Sequence, residues 1–185
     1  VGDFNTATIP ERYDGRPRAG FFPGSTIGNF EPHEAIALLQ TFARLLGPGS
    51  RLLIGADLRK ARDILERAYD DRDGVTAEFN LNLLRRMQRE LDAKLDIDGF
   101  RHLAIYNEPL GRIEMYLVST RQQKIVVAGK VFELAEGERI HTENSHKYTI
   151  EGFHELAAQG GWRAVDVWTD PDRLFSVHAL EAGTR

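Results

Sequence analysis

Apolar residues along this chain change their spacing several times, and each change marks a boundary. A short apolar run at 20–23 leads into the polar stretch Gly24-Ser25-Thr26-Ile27-Gly28-Asn29, after which Pro32 stands where a first helical residue would be. Ile36, Leu38, Leu39, Phe42, Leu45 and Leu46 then recur at helical spacing until Gly47-Pro48-Gly49, which predicts a helix over 32–46. Residues 52–56 are almost continuously apolar and end at Asp57, as a strand buried on both faces of a parallel sheet reads. Two strands around one helix make a βαβ unit, whose crossover is expected to be right-handed. Ahead of it, residues 5–20 hold Pro10 and Pro17 without a sustained period and read as a surface connection.

Beyond Asp57 the pattern changes. Residues 58–69 and 75–94 carry Leu, Arg, Ala and Glu at helical spacing around the break Asp70-Asp71-Arg72-Asp73-Gly74, which predicts a helical pair. From 100 the period falls towards two, and the runs 101–106, 112–119, 123–128, 130–134 and 138–142 predict an antiparallel meander. Helical spacing returns at 149–158 and stops at Gly160-Gly161. The last β-rich runs, 162–169 and 174–180, are joined by Asp170-Pro171-Asp172 and are expected to pair antiparallel at the sheet edge. The parse is an α/β layer at 1–57 and 148–185, interrupted by an insertion at 58–147.

Composition narrows the class. The chain has 185 residues, 42% of them hydrophobic, and 24 Lys+Arg against 28 Asp+Glu give a net charge of −4. A chain of this size buries roughly 70% of its unfolded surface, so a core forms without staples. It lacks the basic excess of a nucleic-acid binder. The absence of cysteine excludes thiol nucleophiles and Cys-ligated zinc. No run approaches the roughly 18 apolar residues of a membrane span and no signal peptide is visible, so the expectation is a soluble, cytoplasmic protein. Val1-Gly2-Asp3-Phe4 reads as the end of a strand, which suggests an upstream part of the protein.

Two stretches carry candidate chemistry. Gly24 to Asn29 follows a strand and precedes a helix, the place where ligands bind in open α/β sheets. Its N–H groups and the Ser25, Thr26 and Asn29 side chains suit a phosphate or carboxylate, although a plain turn with a helix cap explains the same residues. His141-Thr142-Glu143-Asn144-Ser145-His146-Lys147-Tyr148 gathers polar side chains where the insertion returns to the layer. If extended, it puts Glu143 and Ser145 on one side, as a grip for a basic ring or an amine, while the alternative is a solvated strand end. His141-x-Glu143 lacks the cysteines of a zinc deaminase, and Asp71, Asp73 and Gly74 lack the flanking ligands of a calcium loop. Met115, alternating with Ile113 and Leu117, reads as core more readily than as pocket lining. Tyr69 at a helix end is uninformative by itself.

The strings Phe21-Phe22-Pro23-Gly24-Ser25-Thr26-Ile27-Gly28-Asn29-Phe30, Gly74-Val75-Thr76-Ala77 through Phe79-Asn80-Leu81-Asn82-Leu83-Leu84, Arg112-Ile113-Glu114-Met115, and Thr142 to Tyr148 resemble one family. It is the histidine-specific N-alpha-methyltransferases, which use S-adenosylmethionine to trimethylate the α-amino group of L-histidine to hercynine, on the way to ergothioneine. The resemblance runs over nearly all of the chain. It implies the C-terminal part of a Rossmann-like methyltransferase fold with an inserted α+β substrate-binding domain, a small-molecule substrate, and no metal. Carried over, Asn29 and Tyr69 hold the substrate carboxylate, Glu143 and Ser145 contact the imidazole nitrogens, and Met115 lines the ring. Asp3, Phe4 and Gly24 fall to the cofactor, and no dedicated catalytic base is implied.

The family's first strands and glycine-rich turn would precede Val1, as would a further substrate tyrosine, and Tyr116 stands where a His is frequent. The expectation is therefore the C-terminal portion of a histidine methyltransferase, inactive until the missing N-terminal half is supplied. The alternatives are a non-catalytic amino-acid-binding module and a methyltransferase for another amino acid, such as a tryptophan derivative. Glu143, Ser145 and Met115 favour histidine.

Overall fold

The computed structural model describes residues 17–183. They fall into two units, one made of the described residues up to Arg59 together with those from Ser145 onward, the other of Lys60–Asn144. The described residues open with strand β1 (Ala19–Phe22), a 3₁₀ turn (Thr26–Asn29), helix α1 (Pro32–Leu46) and strand β2 (Arg51–Asp57). Helices α2 (Arg62–Tyr69) and α3 (Val75–Leu91) follow, then strands β3 (Phe100–Asn107), β4 (Arg112–Ser119), β5 (Gln123–Val127), β6 (Lys130–Leu134) and β7 (Arg139–His146). Helix α4 (Ile150–Gln159) and strands β8 (Trp162–Thr169) and β9 (Phe175–Ala182) come last among the described residues. Among the described residues no helix is long and apolar enough to cross a membrane.

In the first unit the sheet order is β1-β2-β9-β8. The β1–β2 pair is parallel, and β9 runs antiparallel to both β2 and β8. The expectation of a purely parallel setting for β2 is thus corrected on one side: the β8–β9 hairpin returns its second strand against it. Gly55 makes the β1–β2 exit possible, because a Cβ there would lie 1.9 Å from the Pro23 carbonyl oxygen. Helix α1 starts with Pro32, whose fixed φ suits a first turn, and the Glu34 carboxylate accepts from the Glu31 N–H at 2.9 Å. The faces of α1 and α4 meet the sheet in one core of Ile27, Leu39, Ile54, Phe153, Trp162 and Leu180. Buried Trp162 keeps its N–H satisfied by donating to the Leu39 carbonyl at 2.9 Å.

In the second unit α2 and α3 are amphipathic and bury Leu65 and Leu84 respectively. Asp71 caps α3, its carboxylate accepting from the N–H groups of Val75 at 2.9 Å and Thr76 at 2.8 Å. Those bonds lower its pKa to about 2. Helix α3 stops at Leu91, short of the expected 94, because Asp92 turns left-handed at φ 49°. The expected meander is corrected as well. β5 and β6 form a separate hairpin, while β7 pairs with β4 in the order β3-β4-β7. Ala128 and Gly129, both with positive φ, close the β5–β6 hairpin tightly, and β7 joins the other sheet. β7 also runs to His146, beyond the expected 142.

Candidate functional site

The carboxyl ends of β1 and β2 carry the first group of candidates. Gly24 is exposed just beyond β1, and a Cβ there would meet nothing nearer than Thr26 Oγ1 at 3.8 Å. Ser25 adopts φ 54°, and its Oγ accepts from the Asp57 N–H at 2.8 Å, which stitches the turn to the end of β2. Ile27 and Gly28 are buried, and Asn29, the last residue of the turn, is exposed. A Cβ on Gly28 would lie 2.8 Å from the His146 carbonyl oxygen, so only glycine lets the turn approach the end of β7 this closely. The structure thereby brings the Asn29 turn beside the strand end that carries Ser145.

That strand end is not solvated. Ser145, His146 and Lys147 are 6%, 8% and 2% exposed. Lys147 Nζ lies 2.7 Å from Asp57 Oδ2 and donates to Ser145 Oγ at 2.8 Å. The Lys147 carbonyl accepts from Arg59 Nε at 3.3 Å. Backbone bonds of 2.9 Å from Tyr148 N to Asp57 O and from Arg59 N to Tyr148 O hold this segment against the end of β2. His146 Nε2 stands 3.6 Å from a Glu31 carboxylate oxygen. The solvated-end alternative therefore fails at Ser145 to Lys147, although His141, earlier on β7, is exposed and stacks on Tyr116 at a centroid distance of 4.8 Å.

The second unit holds Tyr69, Met115 and Glu143. Tyr69 ends α2 half-buried and packs on the cluster of Leu65, Ala104, Tyr106, Ile113 and Met115. Met115 is 3% exposed, a core side chain as its alternation suggested. The Thr142 hydroxyl donates to the Met115 carbonyl at 3.0 Å, which ties β7 to β4 one residue before half-buried Glu143. Buried Asn80 donates through Nδ2 to His102 Nδ1 at 2.9 Å and to the Tyr116 carbonyl at 3.1 Å. His102 must then carry its proton on Nε2, from which it donates to the Tyr69 carbonyl at 2.7 Å. Beside Met115 in sequence, Glu114 accepts from Arg112 Nε at 2.9 Å, Asn107 Nδ2 at 3.0 Å and the Tyr116 hydroxyl at 2.5 Å. Burial alone would raise its pKa, but these donors hold it below the usual carboxylate range.

Asp3 and Phe4, expected at the cofactor, lie outside the described residues. A cavity of about 440 Å³ between α3 and strands β4 and β7 is lined by Leu83, Met87, Leu117 and Ile140 among others, including His141 and Thr142 of the polar stretch but not Tyr69, Met115 or Glu143. Among the described residues no three His, Asp or Glu side chains gather as a metal site. Sequence reasoning missed Lys147 and Asp57. The signal for Lys147 was present, because the i, i+2 rule that aligns Glu143 with Ser145 extends to Lys147. Nothing local marks Asp57 as its partner.

A family profile described as histidine-specific methyltransferase, SAM-dependent, matches residues 1–182. The chain is 43% identical over 178 residues to the histidine N-alpha-methyltransferase of Mycolicibacterium smegmatis, covering 95% of this chain and 55% of that protein. It is 39% identical over 171 residues to the histidine N-alpha-methyltransferase of Mycobacterium tuberculosis, covering 91% and 53%. The chain thus spans about half the length of the curated relatives it matches. Among solved structures, the CcbJ methyltransferase from Streptomyces caelestis is similar over 100% of this chain and 63% of that one, at a TM-score of 0.50 and 13% identity, a likeness of fold.

Proposed function

The chain belongs to the histidine-specific, SAM-dependent methyltransferases, and from that premise we propose that it serves the α-N-methylation of L-histidine to hercynine in ergothioneine biosynthesis. The match of the family profile over residues 1–182 carries the reading. In it, the Asn29 amide and the Tyr69 hydroxyl donate to the α-carboxylate of histidine. Glu143 accepts a charge-assisted bond from one ring N–H, Ser145 meets the other ring nitrogen, and Met115 lies against the ring. The inserted stretch is the substrate-binding part, and exposed Gly24 leaves the room at the end of β1 that a nucleoside needs.

S-adenosylmethionine, when bound, supplies an electrophilic methyl group on a sulfonium. The chain's own residues have to hold a neutral amine lone pair in line with it, a matter of positioning. An ammonium cannot attack, and desolvation beside a positive charge lowers the amine pKa, so no dedicated base is required. Gripping the acid end and the ring while leaving the amine loosely held accommodates three rounds of methylation. A site that bonds both ring nitrogens rejects an apolar analogue strongly, because its own polar groups would be left unpaired.

Calorimetry of the intact protein with L-histidine and with S-adenosylhomocysteine tests the reading. Binding of both is expected, whereas binding of histidine alone would favour a non-catalytic module. Glu143→Ala is expected to weaken histidine binding by roughly 1.5–3 kcal/mol, the scale of a charge-assisted hydrogen bond. An unchanged affinity in that variant would remove Glu143 from the site.

A further inference from the structure

Lys147 is an unusual residue to find inside this fold. Its side chain is 0% exposed, and its ammonium is shared between Asp57 Oδ2 at 2.7 Å and Ser145 Oγ at 2.8 Å. Burying an ion pair costs several kcal/mol of desolvation per ion, and well-packed apolar residues of the same volume often stabilise a fold as well or better. Stability is thus a poor account of this pair. The direction of its second bond supplies a better one. An ammonium can only donate, so Ser145 Oγ is the acceptor in that bond without ambiguity. One lone pair of the hydroxyl is committed to a cation, which draws electron density from the oxygen and makes its O–H a stronger donor. Asp57 fixes where that cation stands, and Asp57 is itself held by its own N–H to Ser25 and by its carbonyl, which accepts from Tyr148 N.

We propose that Lys147, anchored by Asp57, is a positioning residue that turns Ser145 into a hydrogen-bond donor towards the substrate ring. The inference rests on the reading of Ser145 as a ring contact. A donating Ser145 asks for an acceptor, the lone-pair nitrogen of a neutral imidazole. With Glu143 taking the N–H at the other nitrogen, the two side chains select a neutral ring in one tautomer. Specificity then depends on a residue that need not touch the substrate.

The test is titration of the intact protein with L-histidine in Ser145→Ala, Lys147→Met, the double variant of these two, and Asp57→Asn/Lys147→Met. The last removes both members of the ion pair together, so it keeps the experiment informative if Lys147→Met alone fails to fold. Thermal melting of each variant reports folding separately. Ser145→Ala and Lys147→Met are each expected to weaken histidine binding about tenfold, the loss of one hydrogen bond that leaves a ring nitrogen unpaired. Because Lys147 acts through Ser145, the double variant should bind no more weakly than Ser145→Ala, whereas a merely structural role would add to it. The neutral pair variant should lose as much affinity as Lys147→Met. Additive losses, or a folded Asp57→Asn/Lys147→Met protein that binds histidine within about twofold of the parent, overturn the positioning role while leaving Ser145 in the site. An unchanged affinity in Ser145→Ala overturns the ring-contact reading itself, and the inference with it.

Discussion

His178 is fully buried yet belongs to a directed chain of hydrogen bonds. The Ser176 hydroxyl donates to the Ala56 carbonyl at 2.9 Å and so accepts from His178 Nε2 at 2.8 Å. His178 Nδ1 is then left to accept from His154 Nε2 at 3.0 Å. A second proton on His178 would set its N–H against that of His154. Burial first, and His154 second, hold its pKa down from 6.5 to about 4. The unfolded chain therefore takes up this proton below about pH 6.5, while the folded one refuses it until about 4. The stabilisation from a neutral His178 is complete above pH 6.5 and fades as the pH falls through that window, by about 3 kcal/mol in all. Urea melts at pH 7 and pH 4.5 should show a larger acid loss for the parent than for His178→Leu, and equal losses would rule out this residue as the source.

Elements stand or fall on contacts of two kinds. Thr149 caps α4, its hydroxyl accepting from the Gly152 N–H at 3.0 Å. Thr149→Ala should cost about 1 kcal/mol, readable as a shift of the denaturation midpoint with unchanged slope. Gly55 is different in kind, because the obstacle to a larger side chain is the Pro23 backbone, which cannot rotate away. Gly55→Ala should cost about 3 kcal/mol or abolish the cooperative transition in circular dichroism, and a loss below about 1 kcal/mol would contradict the 1.9 Å approach. Elements with a clear apolar period were legible before any coordinates. Helix α1 and strands β4, β6 and β8 have the expected ends. The end of β7 was not, since Glu143-Asn144-Ser145-His146 has no alternation of apolar residues, and its extended backbone is held by partners elsewhere in the chain.

At the scale of the molecule, Lys60–Asn144 is one continuous stretch with its own apolar clusters around Met115 and around Leu84, Phe100 and Leu117. A fragment of residues 60–144 is therefore expected to unfold cooperatively in urea, and a featureless, non-cooperative titration would count against it. Deleting the stretch should be tolerated by the other unit, because bonds from Arg59 to Lys147 and Tyr148 already bring the two ends of the chain together there. Spacing and composition sufficed to mark the helices, most strands, the polar segments around Asn29 and Ser145, and, through shared strings, the family. Those features depend on neighbours within a few residues, where the backbone period alone decides which side chains share a face. Strand partners and the burial of charge are of another kind. That antiparallel β9 flanks β2 on the side away from parallel β1, that β7 abandons β6 for β4, and that Lys147 meets Asp57 in the interior were decided in three dimensions. Pairing and desolvation energies arise between segments far apart in the chain, and no local period records them.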